Sequence, residues 1–194
     1  MSEGFFSVLK SLDAGWFNGI NHGLQNSFFD LIMPLLSNAG NGGLIWIVFG
    51  LLLFVFGRPE TKQAVLLAMV ALFVSFLVGE VSLKHLFHRL RPLETLPGVK
   101  LLVAPPHTFS FPSGHTANAF AAGLVLARKI PGLAWPALSL AVAIAFSRVY
   151  VGVHYPLDIL AGALLGAVCA LLVLRYQTII LYTGKKIKPP YTIN

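Results

Sequence analysis

Apolar residues run along this chain in long blocks, and polar residues gather where the blocks end. Residues 63–88 form a block of 26, more than the roughly 20 a helix needs to cross the hydrocarbon core of a bilayer. Residues 114–130 read as a further helix, and 133–150 as another after the break at Pro131 and Gly132. Residues 155–181 make the last long one. Upstream, 28–36 is apolar but short, and Asn-Ala-Gly-Asn-Gly-Gly at 38–43 separates it from a second apolar run at 43–57, so the first span lies here. Residues 1–24 mix Phe5, Phe6, Val8, Leu9 and Trp16 with Lys10, Asp13, Asn18 and His22, the pattern of an amphipathic helix lying at a membrane interface. Between 89 and 111, Pro92, Pro97, Pro105 and Pro106 forbid a continuous helix and predict an ordered interfacial loop. Small residues recur on the later helices, and Gly162 and Gly166 spell a GxxxG, the mark of close helix packing in lipid. The expected fold is all-α: a polytopic membrane helix bundle of about five to six transmembrane helices with an amphipathic N-terminal helix.

Composition strengthens that reading. Of 194 residues, 56% are hydrophobic and 11% charged, against roughly 25% charged in soluble domains. The length suits one integral-membrane domain over 1–194 and leaves no room for a separate soluble domain. A net charge of +7 would raise nucleic acid as a partner in a soluble protein. Here it fits anionic headgroups, the positive-inside bias or a phosphate-bearing substrate, so the expected partners are the lipid bilayer and a phosphate, with no nucleic acid and the oligomeric state open. The single cysteine, Cys169, sits in an apolar run and reads as a packing residue. The N-terminus lacks the basic start and cleavage site of a secretory signal, which puts insertion on the internal spans.

Alternating spans bring the end of the 63–88 helix, the start of the 114–130 helix and the junction near 150–155 to one membrane face. The polar groups collect there. Lys84, Arg91 and Arg148 supply three positive charges, two of them guanidiniums able to grip phosphate in bidentate fashion. Pro112, Ser113, Gly114 and His115 open a helix, whose first N–H groups and dipole favour an anion. His154 and Asp158 are four apart and face the same way on a helical turn. The carboxylate can take one ring N–H, leaving the other ring nitrogen free to attack phosphorus. His115, from another helix, would protonate the leaving alkoxide and later activate water.

These three segments resemble the tripartite signature of the type-2 phosphatidic acid phosphatase superfamily, KxxxxxxRP, PSGH and SRxxxxxHxxxD. The matching residues are Lys84, Arg91 and Pro92, then Pro112 to His115, then Ser147, Arg148, His154 and Asp158. No signature position is missing, and the apolar helices resemble the integral-membrane bacterial branch rather than the soluble acid phosphatases or vanadium haloperoxidases of the superfamily. The resemblance implies hydrolysis of a lipid phosphate or diphosphate without cofactor or metal, through a phosphohistidine on His154. It also implies that Asp158 orients His154, that His115 is general acid and base, and that Lys84, Arg91, Ser113, Gly114 and Arg148 hold the phosphoryl group. The leading substrate it implies is undecaprenyl diphosphate, with phosphatidylglycerol phosphate, phosphatidic acid and lipid A phosphate as alternatives.

Several features carry plainer expectations. Glu80, four residues before Lys84, is expected to pair with it and orient it. His85, His88 and His107 could in principle gather a cation, but Lys84 and Arg89 beside them oppose one. Phe109, Phe111, Tyr150 and Tyr155 read as packing or interface residues, and the loop with Leu101, Leu102 and Val103 is expected to cover the site's entrance. Opposite the motifs lie seven basic residues, Arg58, Lys62, Arg128, Lys129, Lys185, Lys186 and Lys188. On the motif side, Lys10, Arg89 and Lys100 remain once the three phosphate cations are set aside. The positive-inside rule then places the site on the extracytoplasmic face of the cytoplasmic (inner) membrane. A transporter of an anion or lipid phosphate is the alternative of another class; it needs polar residues through the full membrane depth, and the helices away from the motifs are nearly unbroken apolar sequence.

Overall fold

A computed structural model describes residues 2–182; Lys185, Lys186 and Lys188 of the basic tail lie outside them. The described chain is helical: α1 Ser2–Asn21, α2 Ser27–Ala39, α3 Leu44–Phe56, α4 Pro59–Phe76, α5 Lys84–Phe87, α6 Pro92–Thr95, α7 Gly114–Lys129, α8 Ala134–Tyr150, α9 Pro156–Arg175 and α10 Gln177–Tyr182. Proline sets three helix starts, occupying the first turns of α4, α6 and α9, where a missing N–H leaves no bond unmade. Asn26 caps α2, its side-chain oxygen accepting from the Phe29 N–H at 3.0 Å. The expected helix at 63–88 exists as a rod in which α4 winds through a π-helical stretch, Leu77–Leu83, into α5. It stops at His88, whose φ of 48° turns the chain into the left-handed region.

Three helical stretches, Pro59–Thr95, Pro131–Tyr150 and Pro156–Arg175, are long and apolar enough to cross a membrane. The pair Ser27–Ala39 and Asn41–Phe56, bent by 56°, makes up a fourth candidate. The bend falls in the glycine-rich segment that the sequence marks as a break. α7 is shorter, at 16 residues, and runs through the middle of the bundle, packed on α4, α8 and α9. Its Ala117, Ala121, Ala122, Val125 and Leu126 are fully buried among Leu67, Ala68 and Ala71 of α4, Ala141 and Ile144 of α8 and Ala170 of α9. The GxxxG of α9 faces α7: a Cβ on Gly162 or Gly166 would run into the carbonyl oxygens of Ser113 and Ala117. Removing those two Cβ atoms lets the backbones touch.

Outward faces carry Leu51, Phe56, Phe73, Trp135 and Leu164, all exposed. An apolar belt of this extent is surface suited to lipid, and the chain is an integral membrane protein. α1 does not qualify as a span and packs instead against the motif end of α8 and α9, burying Phe17, Asp13 and Asn21. Asn21 holds two loops together: its Nδ2 donates to the carbonyls of Lys100 at 2.9 Å and Tyr150 at 2.8 Å, and its Oδ1 accepts from the Lys100 N–H at 2.9 Å.

The loop after α6 differs from its expected role as a cover. Leu101, Leu102 and Val103 pack on Tyr150, Val151 and Val153, and the Leu102 N–H donates to the Val151 carbonyl at 3.2 Å. Apolar side chains are better buried on the α8–α9 turn than left over a polar mouth. Its Pro106 and Thr108 line the cavity, and its Ser110 reaches His154 and Asp158.

Candidate active site

Motif residues from three separated segments, Lys84, Arg91, Gly114, His115, Arg148 and His154, line one cavity of about 220 Å³. Glu80 comes from the π-helical stretch after α4, Lys84 from the start of α5, Arg91 from the start of α6, Gly114, His115 and Asn118 from the first turns of α7, Arg148 from the end of α8, and His154 from the α8–α9 turn. Lys84, Arg91 and Arg148 are each almost wholly buried. Three cations gathered in so small a space repel one another, so the arrangement is built for an anion to fill.

Neutral and anionic acceptors hold these cations in place. Lys84 Nζ pairs with Glu80 Oε1 at 2.9 Å, as the i,i+4 spacing predicts, and donates to Thr108 Oγ1 at 3.0 Å. Arg91 donates from Nε to the Thr108 carbonyl at 2.7 Å, from Nη1 to the Val153 carbonyl at 2.7 Å and from Nη2 to Thr108 Oγ1 and the Phe109 carbonyl at 3.1 Å. Arg148 Nη1 donates to Ser37 Oγ, while its Nε is buried without a partner. A buried guanidinium N–H without a partner is costly, and the rest of the Arg148 side chain lines the cavity.

His154 is buried, and its tautomer follows from its neighbours. Arg91 Nη1 lies 3.2 Å from His154 Nε2. A guanidinium can only donate, so Nε2 carries the lone pair and Nδ1 the proton. Nδ1 faces Ser110 Oγ at 3.4 Å and Asp158 Oδ2 at 3.5 Å. Burial first, and then the charges of Arg91, Arg148 and Lys84, push the His154 imidazole well below its ordinary pKa, with Ser110 acting the other way. It is therefore neutral at neutral pH.

Asp158 is placed by helix chemistry. As the third residue of α9 it reaches back, and Oδ2 accepts from the Tyr155 N–H at 2.9 Å, half of a capping box. The same oxygen accepts from Ser110 Oγ at 2.5 Å, and Oδ1 pairs with Arg89 Nη1 at 2.6 Å. Arg89 also pairs with Asp13 of α1 at 2.5 Å.

Gly114 sits where a side chain has no room, since a Cβ there would collide with the Glu80 carboxylate. His115 Nε2 lies 2.7 Å from Asn41 Oδ1, in the bend between α2 and α3. Ser113, like Asp158, lies off the cavity: it is buried, its N–H donates to the Asp158 carbonyl at 3.0 Å, and its Oγ accepts from Thr116 Oγ1 at 3.0 Å. Among the described residues it ties α7 to α9 and does not line the cavity. His85 and His88 lie edge-on against Phe109, with centroids 6.4 and 4.6 Å away.

Sequence reasoning missed Thr108, Ser110, Asn118, Ser37 and Asn41, which contact or line the site, and the Asp13–Arg89 pair. A signal existed for Ser37 and Asn41, polar residues beside a glycine-rich break in an apolar region. Thr108 and Ser110 sit inside a loop where polar residues are unremarkable.

Residues 63–180 match the model of the PAP2 superfamily. The undecaprenyl-diphosphatase of Sulfolobus acidocaldarius is 35% identical over 137 residues, 70% of this chain and 65% of that protein, so the chain spans a little under two thirds of this relative's length. The undecaprenyl-diphosphatase BcrC of Bacillus subtilis is 27% identical over 163 residues, 84% of this chain and 81% of that one. Among solved structures, Aquifex aeolicus LpxE superposes with a TM-score of 0.71 at 31% identity, covering 85% of this chain and 96% of the other.

Proposed function

The chain belongs to the PAP2 superfamily, and on that premise we propose that it is a lipid phosphatase which hydrolyses undecaprenyl diphosphate at the membrane interface. The observation that carries the chemistry is an imidazole with its lone pair on Nε2, facing a cavity ringed by three buried cations. The identity of the lipid rests on the two undecaprenyl-diphosphatases among its relatives.

In the first step the terminal phosphoryl group enters the cavity, and the Arg91 N–H beside Nε2 turns to a phosphate oxygen. Arg148 and Lys84 take the others. Nε2 attacks phosphorus, the Nε2–P bond forms, the bridging P–O bond breaks, and His115 gives its proton to the leaving oxygen. The ring keeps its Nδ1 proton, and its gain of positive charge is met by Asp158. In the second step His115 takes a proton from water, the water oxygen attacks phosphorus, the Nε2–P bond breaks, and inorganic phosphate leaves. Gly114 gives the phosphate room beside Glu80. Ser113 acts by fixing the α7–α9 junction. No step requires a metal.

The orientation inferred from the basic residues puts this cavity at the outer headgroup level of the cytoplasmic membrane, as one domain with its lipid tail left in the bilayer. The test is phosphate release by purified protein, with EDTA present, from a panel of undecaprenyl diphosphate, phosphatidylglycerol phosphate, phosphatidic acid and lipid A phosphate. Fastest turnover is expected on the diphosphate, with loss of at least about a thousandfold in His154→Ala. Faster turnover of a monophosphate would move the substrate assignment, and release undiminished in His154→Ala would end the covalent route. A carrier would release no phosphate.

A further inference from the structure

Arg89 occupies one of the unspecified positions between Lys84 and Arg91, and Asp13 lies outside the residues that match the family. Both are nevertheless joined to the reacting pair. We propose that Arg89, held by Asp13 of the N-terminal helix, is a positioning residue that fixes the Asp158 carboxylate and tempers its charge, so that α1 completes the catalytic site. This rests on the role given above to His154.

The geometry is that of a relay with no slack. The two guanidinium nitrogens of Arg89 engage different carboxylates, Nη1 with Asp158 Oδ1 at 2.6 Å and Nη2 with Asp13 Oδ2 at 2.5 Å. Both carboxylates are fully buried, while Arg89 is 26% exposed. The guanidinium lies over the Tyr155 ring, 4.2 Å from its centroid, and the Arg89 carbonyl accepts from the Ser110 N–H at 2.7 Å. Asp13 uses its other oxygen to accept from the Leu157 N–H at 2.9 Å, satisfying a donor in the first turn of α9 that no residue of α9 reaches. A snorkelling arginine at a helix end would keep its head in water and make none of these bonds.

The consequence for Asp158 is directional. Arg89 claims Oδ1, so Oδ2 is the oxygen left to face His154 Nδ1, and the carboxylate plane cannot rotate away. The charges alternate from Asp13 through Arg89 to Asp158 and then the ring. Asp158 favours positive charge on His154 during phosphoryl transfer, Arg89 weakens that pull, and Asp13 restores part of it. The groups facing this chain are Arg91 beside His154, Lys84, Arg148, His115 and Glu80 around the cavity, Ser110 and Tyr155 on Asp158, and Lys10 and His88 in the groove that Arg89 borders.

The experiment compares wild type with Arg89→Gln, Asp13→Asn and Arg89→Lys as purified full-length protein on one substrate, so that the substrate's own ionisation cancels. It measures kcat, KM, the acid limb of kcat/KM and the His154 ring titration by NMR. Removing the Arg89 charge strengthens the pull of Asp158, so Arg89→Gln is expected to move the acid limb and the titration to higher pH. Removing the Asp13 charge leaves Arg89 unopposed, so Asp13→Asn is expected to move both to lower pH. Each should lower kcat about tenfold or more with KM within about twofold, since what is lost is an interaction made in the transition state. Arg89→Lys keeps the charge without the fork; it should fold where Arg89→Gln does not, leave the limb near its wild-type position and lower kcat at least about threefold. Unmoved limbs, shifts in the same direction for the two charge-removing variants, or a wild-type kcat in Arg89→Lys would overturn the proposal. An inactive wild type would instead overturn the enzymatic reading, and the NMR titration would still judge the relay.

Discussion

Burial and three neighbouring cations keep the His154 imidazole neutral well below the pH at which an exposed histidine takes up a proton. In the mechanism proposed above the nucleophile is the neutral ring, so activity is expected to be lost when pH falls through its depressed pKa. Corrected for substrate ionisation, the acid limb of kcat/KM, which reports the neutral His154 ring, is therefore expected to lie below pH 6.5. An acid limb at or above pH 6.5 would contradict the environment described for the ring. Gly114→Ala tests a neighbouring contact. The added methyl meets the Glu80 carboxylate, and either Glu80 leaves Lys84 or the start of α7 shifts. A displacement of about an ångström at a reacting centre costs on the order of a hundredfold, so kcat/KM is expected to fall by that order in steady-state assays.

Among elements, the α7–α9 contact bears directly on the site, because it sets the depth at which α7 presents Gly114 and His115. Gly166→Leu forces a side chain against the Ala117 carbonyl and the Phe120 Cβ. Overpacking of this kind costs roughly 1–3 kcal/mol, and a lower unfolding temperature in detergent with reduced turnover is expected. Leu164→Ile, on the exposed face of the same helix, should change neither; equal effects from the two would show that α9 is not anchored through its glycines. The π-helical stretch before Lys84 fits the tendency of such irregular turns to occur at functional sites.

For the whole molecule the open property is its direction in the membrane. With Cys169 replaced by alanine, single cysteines at the exposed Arg128 and Lys100 report on the two ends. The charge distribution predicts that an impermeant thiol reagent applied to intact cells labels position 100 and spares position 128. The reverse pattern would put the cavity on the cytoplasmic side. α1 is joined to the bundle through Asp13, which pairs with Arg89 and accepts from the Leu157 N–H at the start of α9, so the amphipathic helix does more than rest at the interface.

The helices and their approximate limits were legible in the sequence because burial in lipid demands unbroken apolar stretches, and such stretches leave their mark residue by residue. The gathering of Lys84, Arg91, His115, Arg148, His154 and Asp158 was legible for a related reason: they are polar groups in an apolar chain, and alternating spans leave them one face on which to meet. Contacts between residues far apart in the chain were not. Nothing local says that Arg89 reaches both Asp13 and Asp158, that Ser113 spends its N–H on α9, or that Leu101 to Val103 turn away from the mouth. Those outcomes depend on which acceptor or apolar surface lies within a few ångströms once the helices have packed, and periodicity carries no record of that distance.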